Sequence, residues 1–235
     1  MRSVIIPARG GSQRIKFKNI RIFSGSPIIS WPITASLETG LFDEVFVSTD
    51  NQEIADIAEN LGAKILWRPE NLADNFTGTT EVIQNALETA LTQLSHDHWI
   101  YKIYPTSPVT PDLVKDFVEF SEKSPDSFSI SVGKFRSNIE RAMALTRSGE
   151  LRPLSPERLH SRSQDIEDRF FDAGKIYGAN VASWKSTTSP LVQGARGFIM
   201  PIWASIDIDT EDDWTLAELC FTQLRNSYRL KETPT

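Results

Sequence analysis

The sequence has little cysteine, no long apolar run and no excess of positive charge, and each absence excludes a class of protein. One of its 235 residues is a cysteine, so no intrachain disulfide can form. Cys220 lies in the apolar pattern of the last predicted helix, where it is expected to be a buried filler. No apolar stretch is long enough for a signal peptide or a membrane span. We therefore expect a cytoplasmic protein with no membrane partner.

The charge balance is acidic, and nothing in the composition divides the chain. The formal net charge is −6 and the isoelectric point is near 5.2, whereas a nucleic-acid-binding protein needs a basic face that displaces counterions from phosphates. No linker rich in proline, glycine or serine, no internal repeat and no low-complexity segment interrupts residues 1–235. We predict a single, elaborated domain whose partner is a small molecule.

Short apolar runs alternate with helical patterns through the first half of the chain, which indicates a mostly parallel sheet with helices on both faces. Runs rich in β-branched and aromatic residues predict strands at residues 3–6, 44–48, 64–67, 99–104 and 127–132. Apolar spacing predicts helices over residues 51–62, capped by Asp50 or Asn51, and over residues 79–94. Thr110 followed by Pro111 predicts the start of another helix, since proline is tolerated in the first helical turn.

The pattern changes after residue 132. Residues 133–175 contain turn residues and several arginines but no long helical face, which predicts hairpins and loops that project from the sheet as a lid or a dimer contact. Further strands are predicted at residues 176–180, 198–202 and 205–208, with a short helix near Trp184. The last helix is predicted to begin after Thr210, whose hydroxyl can cap it while Asp213 reaches back.

A basic stretch with two glycines, IIPARGGSQRIKFKN, follows the first predicted strand. Ligands of open α/β sheets bind at the carboxyl ends of the strands, which is where this loop falls. Gly10 and Gly11 allow the backbone to approach an anion closely, and Arg9, Arg14 and Lys18 supply charge for a polyphosphate. The spacing is neither that of a Walker A loop nor that of GxGxxG. A solvated basic turn is the alternative, and we favour a phosphate cradle.

A second polar stretch, SIDIDTEDDW, precedes the last predicted helix. In a strand, Asp207 and Asp209 share one face with their backbones about 6–7 Å apart, so both carboxylates can reach one cation. Mg²⁺ takes oxygen ligands, commonly one or two carboxylates and substrate phosphates. Attraction of acidic residues to the amino terminus of the helix is the alternative, and it accounts for residues 211–213 but not for Asp207. With the basic loop, the pair predicts Mg²⁺-assisted chemistry on a nucleoside triphosphate.

Three further features are ambiguous. YPTSP, residues 104–108, is either a rigid loop or a substrate-binding wall at the end of a strand. RSQD, residues 162–165, contains an arginine that either forks onto a carboxylate or makes a surface ion pair. His96 and His98 stand before a strand without clear metal partners, and we interpret them as surface residues.

Taken together, these motifs resemble the family of CMP-sugar synthetases for eight- and nine-carbon ulosonic acids. The match runs from IIPARGGS through VSTD, LWRPENLA, DNFTGTT, YPTSP, RSQD and DAGKIYG to DIDTEDDW, nearly the whole chain. Within the family, the chain looks most like the pseudaminic acid cytidylyltransferases. Three motifs carry this likeness: YPT in place of QPT, the FTGT segment, and RSQD followed by FxDAGxxY. The resemblance implies a three-layer, Rossmann-like nucleotide-diphospho-sugar transferase fold and a homodimer. It also implies that CTP and a nonulosonic acid sugar react, with Mg²⁺, to give the CMP-sugar and pyrophosphate.

The basic loop and the resemblance together predict the site residues. Those predicted to bind the nucleotide are Arg9, Gly10, Gly11, Ser12, Arg14, Lys18, Asn19, Arg68 and Thr79. Those implied by the resemblance for the sugar are Tyr104, Arg162, Gln164 and Tyr177, with Tyr104 where sialic acid enzymes carry glutamine. Asp207 and Asp209 match the family's metal ligands, and with Arg9 they form the predicted catalytic set.

One departure from the family pattern lies in the basic loop. Relatives carry SKR or SKG there, whereas this chain has Gln13 after Ser12, so a phosphate-facing lysine is missing. Arg14 or Lys16 keeps a positive charge within reach of the phosphates, but with a different geometry. We predict that Gln13→Lys raises turnover or tightens CTP binding. N-acetylneuraminic or legionaminic acid is the alternative substrate. A catalytically silent nucleotide-binding module is the rival from another class, and a Rossmann dehydrogenase is disfavoured because its fingerprint is absent.

Overall fold

The structure is a computed structural model that describes residues 1–11, 14–73, 77–159, 162 and 166–229. The strands in these residues are β1 (Arg2–Pro7), β2 (Ile22–Phe23), β3 (Ser26–Pro27), β4 (Glu44–Thr49), β5 (Lys64–Trp67), β6 (Trp99–Ile103), β7 (Ser129–Lys134), β8 (Met143–Leu145), β9 (Leu151–Pro153), β10 (Phe170–Asn180) and β11 (Arg196–Ile199). The α-helices are α1 (Ser30–Thr39), α2 (Gln52–Asn60), α3 (Thr79–Thr89), α4 (Pro111–Glu122), α5 (Val181–Ser186) and α6 (Glu211–Arg229).

A seven-stranded sheet forms the centre, in the order β11-β7-β10-β6-β1-β4-β5. β10 runs antiparallel to both of its neighbours, and the other neighbouring pairs are parallel. The prediction of a mostly parallel sheet is therefore confirmed. Because β10 is reversed, its first residues lie at the edge of the sheet where the parallel strands end.

The sheet separates two apolar cores, since successive side chains of a strand point to opposite faces. On β1, Val4 and Ile6 belong to the core under α1, α2, α4 and α6, whereas Ile5 belongs to the core under α3 and α5. All three side chains are fully buried, and burying one such side chain contributes about 1.5–3 kcal/mol. The molecule thus has three layers, as expected.

Helix starts follow the predicted capping chemistry. Asn51, one of the two candidates, caps α2 by accepting from the Ile54 amide at 3.0 Å, and Thr110 caps α4 by accepting from the Leu113 amide. At α6, Thr210 Oγ1 accepts from the Asp213 amide at 3.2 Å while Asp213 Oδ2 accepts from the Thr210 amide at 2.8 Å. This reciprocal pair is the predicted capping box.

Several element predictions were wrong. The helix predicted over residues 79–94 ends at Thr89, and α1 was not predicted. β10 begins at Phe170 rather than at residue 176, and β11 lies two to three residues before its predicted position. Residues 205–208 form no strand: the alternating isoleucines are explained by burial of Ile208 in the core rather than by pairing with another strand.

Residues 135–169, which we call the hairpin segment, connect β7 to β10. The predicted projecting segment of residues 133–175 was too long at both ends, because those ends belong to β7 and β10 in the sheet. Within the hairpin segment β8 and β9 form a two-stranded antiparallel ladder. Its apolar side chains are exposed, namely Met143, Leu145, Leu151 and Leu154.

Two single-residue predictions also need correction. His98 is buried rather than on the surface. It packs against the start of β1, where its Nε2 lies 2.8 Å from Ser3 Oγ, and burial lowers the pKa of His98. Cys220 is half-buried and packs against the larger core. Within the described ranges, no helix is both long and apolar enough to cross a membrane.

Candidate active site

A cavity of about 450 Å³ opens at the carboxyl edge of the parallel strands. Its walls come from the loop after β1, the end of β5, the start of α3 and the loop after β6. The lining includes seven residues that the sequence predicted for the site, namely Arg9, Arg14, Lys18, Asn19, Arg68, Thr79 and Tyr104. Groups separated by up to 95 positions in the chain therefore meet at the edge where α/β sheets bind ligands.

The glycine loop is held by protein contacts. The Gly10 amide donates to Asp50 Oδ1 at 2.8 Å, so it is not directed at an anion as predicted. A Cβ at Gly10 would lie 2.9 Å from Asn51 Cβ, and packing against the α2 cap therefore requires glycine there. Around Gly11 no atom lies within 4 Å of such a Cβ, which leaves the exposed backbone open to a ligand. Asn19 Nδ2 donates to the Arg9 carbonyl at 2.9 Å and fixes the other side of the loop.

Arg68 supplies a half-buried guanidinium at the end of β5. Its Nη2 donates to the Ser48 carbonyl at 3.1 Å, and its buried Nε has no hydrogen-bond partner among the described residues. Burial lowers the pKa of Arg68; Asp50 raises it and Arg9 lowers it further. Two guanidinium groups that share one cavity repel each other, and an anion between them would remove that repulsion.

The acidic pair faces the basic loop across the cavity rim. Asp209 accepts a hydrogen bond from Arg14 Nη1 and lies 3.7 Å from Lys18 Nζ. Burial lowers the pKa of Lys18, while Asp209 and Asp207 raise it. The pair does not lie on a strand as predicted, but Asp207 is still exposed and Ile208 buried, so alternation survives locally.

The donor chemistry of this pair fits a magnesium ion that is partly held by substrate. The part of the chain that the structure describes contains no group of three or more histidine, cysteine, aspartate or glutamate residues that could enclose a metal. Mg²⁺ commonly binds one or two carboxylates together with phosphate oxygens. Asp207 and Asp209 would supply the two carboxylates.

A cluster of hydroxyl and amine groups lies at the part of the cavity wall formed by Thr79 and Tyr104. Tyr104 and Thr79 pair through their hydroxyls at 2.9 Å, and Lys102 Nζ donates to Thr79 Oγ1 at 2.9 Å. Next to them, the Tyr177 hydroxyl donates to Asp172 at 2.6–2.7 Å. Burial raises the pKa values of both tyrosines and lowers that of Lys102 to about 7. Tyr104 and Tyr177 are two of the residues that the resemblance implies for the sugar.

Sequence reasoning missed Lys102, Asp172 and a second buried lysine, Lys175. Lys175 is fully buried on β10 and donates to the Thr106 carbonyl at 3.3 Å. Burial lowers its pKa to about 8, and Asp207 partly opposes the shift. The available signal was a lysine inside an otherwise apolar strand, as in WIYKI and KIYGA, because lysine is almost never fully buried without a reason.

The remaining predicted residues lie elsewhere. Arg162 is exposed on the hairpin segment, outside the set of described residues that line the cavity. Ser12, Gln13 and Gln164 lie outside the described residues. A larger cavity, about 710 Å³, is bounded by residues 134–142 and 166–169 of the hairpin segment and its junction with β7. None of the described residues that bound it was predicted for the site.

The mostly parallel sheet, with a basic cavity at its carboxyl edge, defines an α/β protein with a Rossmann-like fold. A solved structure of CMP:2-keto-3-deoxy-manno-octonic acid synthetase complexed with CTP has the same fold, with a TM-score of 0.67 at 16% identity over 94% of this chain and 98% of that one.

Sequence comparison gives the family. The model of the family described as Cytidylyltransferase matches residues 3–150. A pseudaminic acid cytidylyltransferase of Campylobacter jejuni is 34% identical over 92% of this chain and 94% of its own length. A CMP-N,N'-diacetyllegionaminic acid synthase of Legionella pneumophila is 31% identical over 91% and 93%. The chain belongs to the cytidylyltransferase family.

Proposed function

We propose that this protein transfers CMP from CTP to the anomeric hydroxyl of pseudaminic acid, giving CMP-pseudaminic acid and pyrophosphate. The observation that carries the proposal is the single cavity in which seven predicted residues meet. The relatives support the choice of sugar, because the similarity to a pseudaminic acid cytidylyltransferase extends over nearly the full length of both chains.

The basic side of the cavity suits the triphosphate. Arg9, Arg14 and Lys18 line it together with Arg68, and cations placed where charge develops stabilise the transition state of phosphoryl transfer. The exposed backbone at Gly11 leaves room for close approach of a phosphate.

The reaction needs no protein nucleophile. The anomeric oxygen attacks the α-phosphorus of CTP in line, a new P–O bond forms, and the bond to the β-phosphate oxygen breaks as pyrophosphate leaves. The hydroxyl proton passes to solvent or to a phosphate oxygen. In this scheme the protein orients the two substrates and offsets the charge on the phosphates, which are the main sources of rate in such reactions.

The acidic pair would hold Mg²⁺ through Asp207 and Asp209. When bound, the ion supplies positive charge that neutralises the phosphates and orients them. Asp209→Asn removes one ligand charge at unchanged size, so we expect it to abolish magnesium-dependent turnover. Circular dichroism should report an intact fold, and retained turnover would contradict the metal assignment.

A homodimer is part of the proposal. The exposed apolar side chains of the hairpin segment, such as Leu145, Leu151 and Leu154, support contact with a second copy, since contiguous exposed apolar surface often marks an interface. Sedimentation velocity of the protein and of Leu151→Glu tests this contact. We expect a dimer and a monomer respectively, and a monomeric wild type would remove the idea.

The central experiment measures pyrophosphate release with CTP and Mg²⁺, offering pseudaminic, legionaminic, N-acetylneuraminic and 3-deoxy-octulosonic acids in parallel. Release with pseudaminic acid alone is expected. Release with legionaminic acid would favour the second candidate, for which the Legionella pneumophila relative provides the observation. Folded protein that binds CTP but is inactive with all four acids would contradict the proposed activity.

A further inference from the structure

Lys102 lies in the middle of β6, on the face of the sheet that packs against α3 and α5. Only 2% of the residue is exposed. Its ammonium group donates to Thr79 Oγ1 and lies 3.8 Å from the ring centroid of Tyr177 and 4.7 Å from that of Tyr104. Burial of an ammonium group costs desolvation free energy that the two rings offset only in part. An apolar side chain would fill the position at lower cost, so the charge itself requires an explanation.

The hydrogen-bond inventory of the neighbouring hydroxyls gives that explanation. An ammonium group can donate but cannot accept, so Lys102 occupies an acceptor lone pair of Thr79 Oγ1. Thr79 and Tyr104 have two hydroxyl protons between them, and their mutual bond at 2.9 Å uses one. The second hydroxyl proton is not used in this bond and is available for another acceptor. Both hydroxyl-bearing residues line the cavity. The pair therefore offers a donor to whatever binds there.

We propose that Lys102 is a positioning residue: it orients the Thr79 and Tyr104 hydroxyls so that one of them donates to the carboxylate of the sugar acid, and it holds a positive charge beside them. This inference rests on the proposed function and names a determinant of its sugar specificity. Lys102 does not touch the substrate in this arrangement. It acts through the orientation of the two hydroxyls and through its positive charge, which favours an anion nearby.

The neighbouring groups favour Tyr104 over Tyr177 as the donor. The Tyr177 hydroxyl already donates to both oxygens of Asp172, so its proton is occupied. Tyr104 lines the cavity, and Tyr177 is not among the described residues that do. The basic side chains Arg14 and Lys18 instead pair with Asp209, one of the two predicted metal ligands, and we therefore assign them to the triphosphate rather than to the sugar.

The charge state of Lys102 makes the arrangement sensitive to pH. Tyr104 directly after β6 and Tyr177 and Asp172 on β10 are the titratable groups that face it, while α3 and α5 contribute Thr79 and Trp184. Burial lowers the pKa of Lys102 to about 7, and a bound carboxylate would raise it again. A neutral amine can also accept a hydrogen bond from the Thr79 hydroxyl, which would reverse the direction of the bond between them. Sugar affinity should therefore fall as pH rises above 7.

The test compares Lys102→Met and Thr79→Val in steady-state kinetics with CTP and pseudaminic acid. Each variant preserves side-chain volume and removes one link, so each should raise the KM for the acid about 10-fold, the usual size for a hydrogen bond to a charged group. The KM for CTP should stay within about 2-fold. The double variant should be no worse than either single one, because both break the same chain of hydrogen bonds.

The methyl ester of pseudaminic acid separates recognition of charge from a structural effect. In the wild type the acid should be preferred over the ester by about 10-fold in kcat/KM, and Lys102→Met should reduce that preference to about 2-fold. In the wild type the KM for the acid should rise between pH 6.5 and pH 8.5, and in Lys102→Met it should not. Tyr101→Phe is the matched control, since it alters a buried side chain of the same strand on the opposite face.

Three results would overturn the inference: an unchanged KM for the acid in folded Lys102→Met, an equal rise in both KM values, or an ester preference that does not change. If Lys102→Met does not fold, Thr79→Val and the wild-type pH profile decide the question. These outcomes are distinct from failure of the proposed function, which would show as a wild type inactive with every acid.

Discussion

At the scale of single residues, the two adjacent glycines of the basic loop meet different demands. Gly10 packs against Asn51, the cap of α2, whereas a side chain at Gly11 would point into open space. The sequence predicted one shared role for both, because a pair of glycines does not reveal which neighbour each will meet.

We expect Gly10→Ala to lower the free energy of unfolding by about 1–3 kcal/mol, because its methyl group would push Asn51 out of its capping position. Gly11→Ala should leave the free energy of unfolding nearly unchanged and weaken CTP binding. Urea denaturation and calorimetry with CTP measure the two effects. Equal destabilisation by both substitutions would contradict this assignment.

Arg68 is expected to act through the shape of its guanidinium group. Arg68→Lys retains the charge but not the planar fork, so the KM for CTP should rise about 10-fold while the KM for the sugar acid changes little. Arg152→Lys, on the exposed β9 of the hairpin segment, is the control. A similar rise in both KM values for Arg68→Lys would indicate a structural role instead.

At the scale of elements, the cap of α6 positions the acidic pair. Asp213 Oδ2 accepts hydrogen bonds from the backbone amides of both Asp209 and Thr210. The same carboxylate therefore caps α6 and holds the backbone of the predicted metal ligand Asp209. Thr210→Ala should lower the free energy of unfolding by about 1 kcal/mol, the usual cost of losing a cap. It should also raise the Mg²⁺ concentration needed for half-maximal turnover.

Thr215→Ala is the matched control for this prediction. Thr215 lies one turn further along α6 and donates to the Glu211 carbonyl, and alanine favours a helix interior. Chemical denaturation should show no loss of unfolding free energy for Thr215→Ala. An unchanged magnesium dependence of turnover in Thr210→Ala would show that the cap of α6 does not position the acidic pair.

The elements that the sequence predicted well are those with a strong local signal. The buried apolar runs gave β1, β4 and β5 to within one residue at each end, and side-chain caps gave the starts of α2, α4 and α6. α1 was missed because its cap residue makes no side-chain hydrogen bond and because its buried face includes the polar residues Ser30, Ser36 and Thr39, which weakens the apolar spacing. The strand at residues 205–208 was wrong because alternation reports burial and not pairing.

At the scale of the whole molecule, two buried lysines link stability to pH. Burial lowers the pKa of Lys102 to about 7 and that of Lys175 to about 8, against 10.5 for an exposed lysine. Between those values the unfolded chain binds more protons than the folded one, so the free energy of unfolding should rise with pH from about 7 towards 10. Tyrosines with raised pKa values act in the opposite direction only above about pH 10.

Urea denaturation at pH 7 and pH 9 checks this linkage. The wild type should gain about 1–2 kcal/mol more than Lys102→Met over that interval, since one titrating group contributes up to about 1.4 kcal/mol per pH unit. Identical pH dependence in both proteins would mean that Lys102 titrates normally.

The sequence predicted the basic residues of the cavity better than the cluster around Lys102. Arg9, Arg14 and Lys18 follow one strand within a few residues, so their convergence is a local property. The cluster of Lys102, Thr79 and Tyr177 forms only when α3, β6 and the reversed β10 pack together. No short-range pattern in the sequence indicates that these three side chains come into contact.

The reversed direction of β10 has a consequence for how such an enzyme can diversify. The basic residues Arg9, Arg14, Lys18 and Arg68 come from the first part of the chain, whereas Asp172, Lys175 and Tyr177 come from one later strand that enters the sheet from the opposite end. Under the proposed function, substitutions in that strand should change which sugar acid is accepted without altering the basic side of the cavity. Libraries restricted to residues 170–177 would then be a compact route to new donor sugars for glycan synthesis.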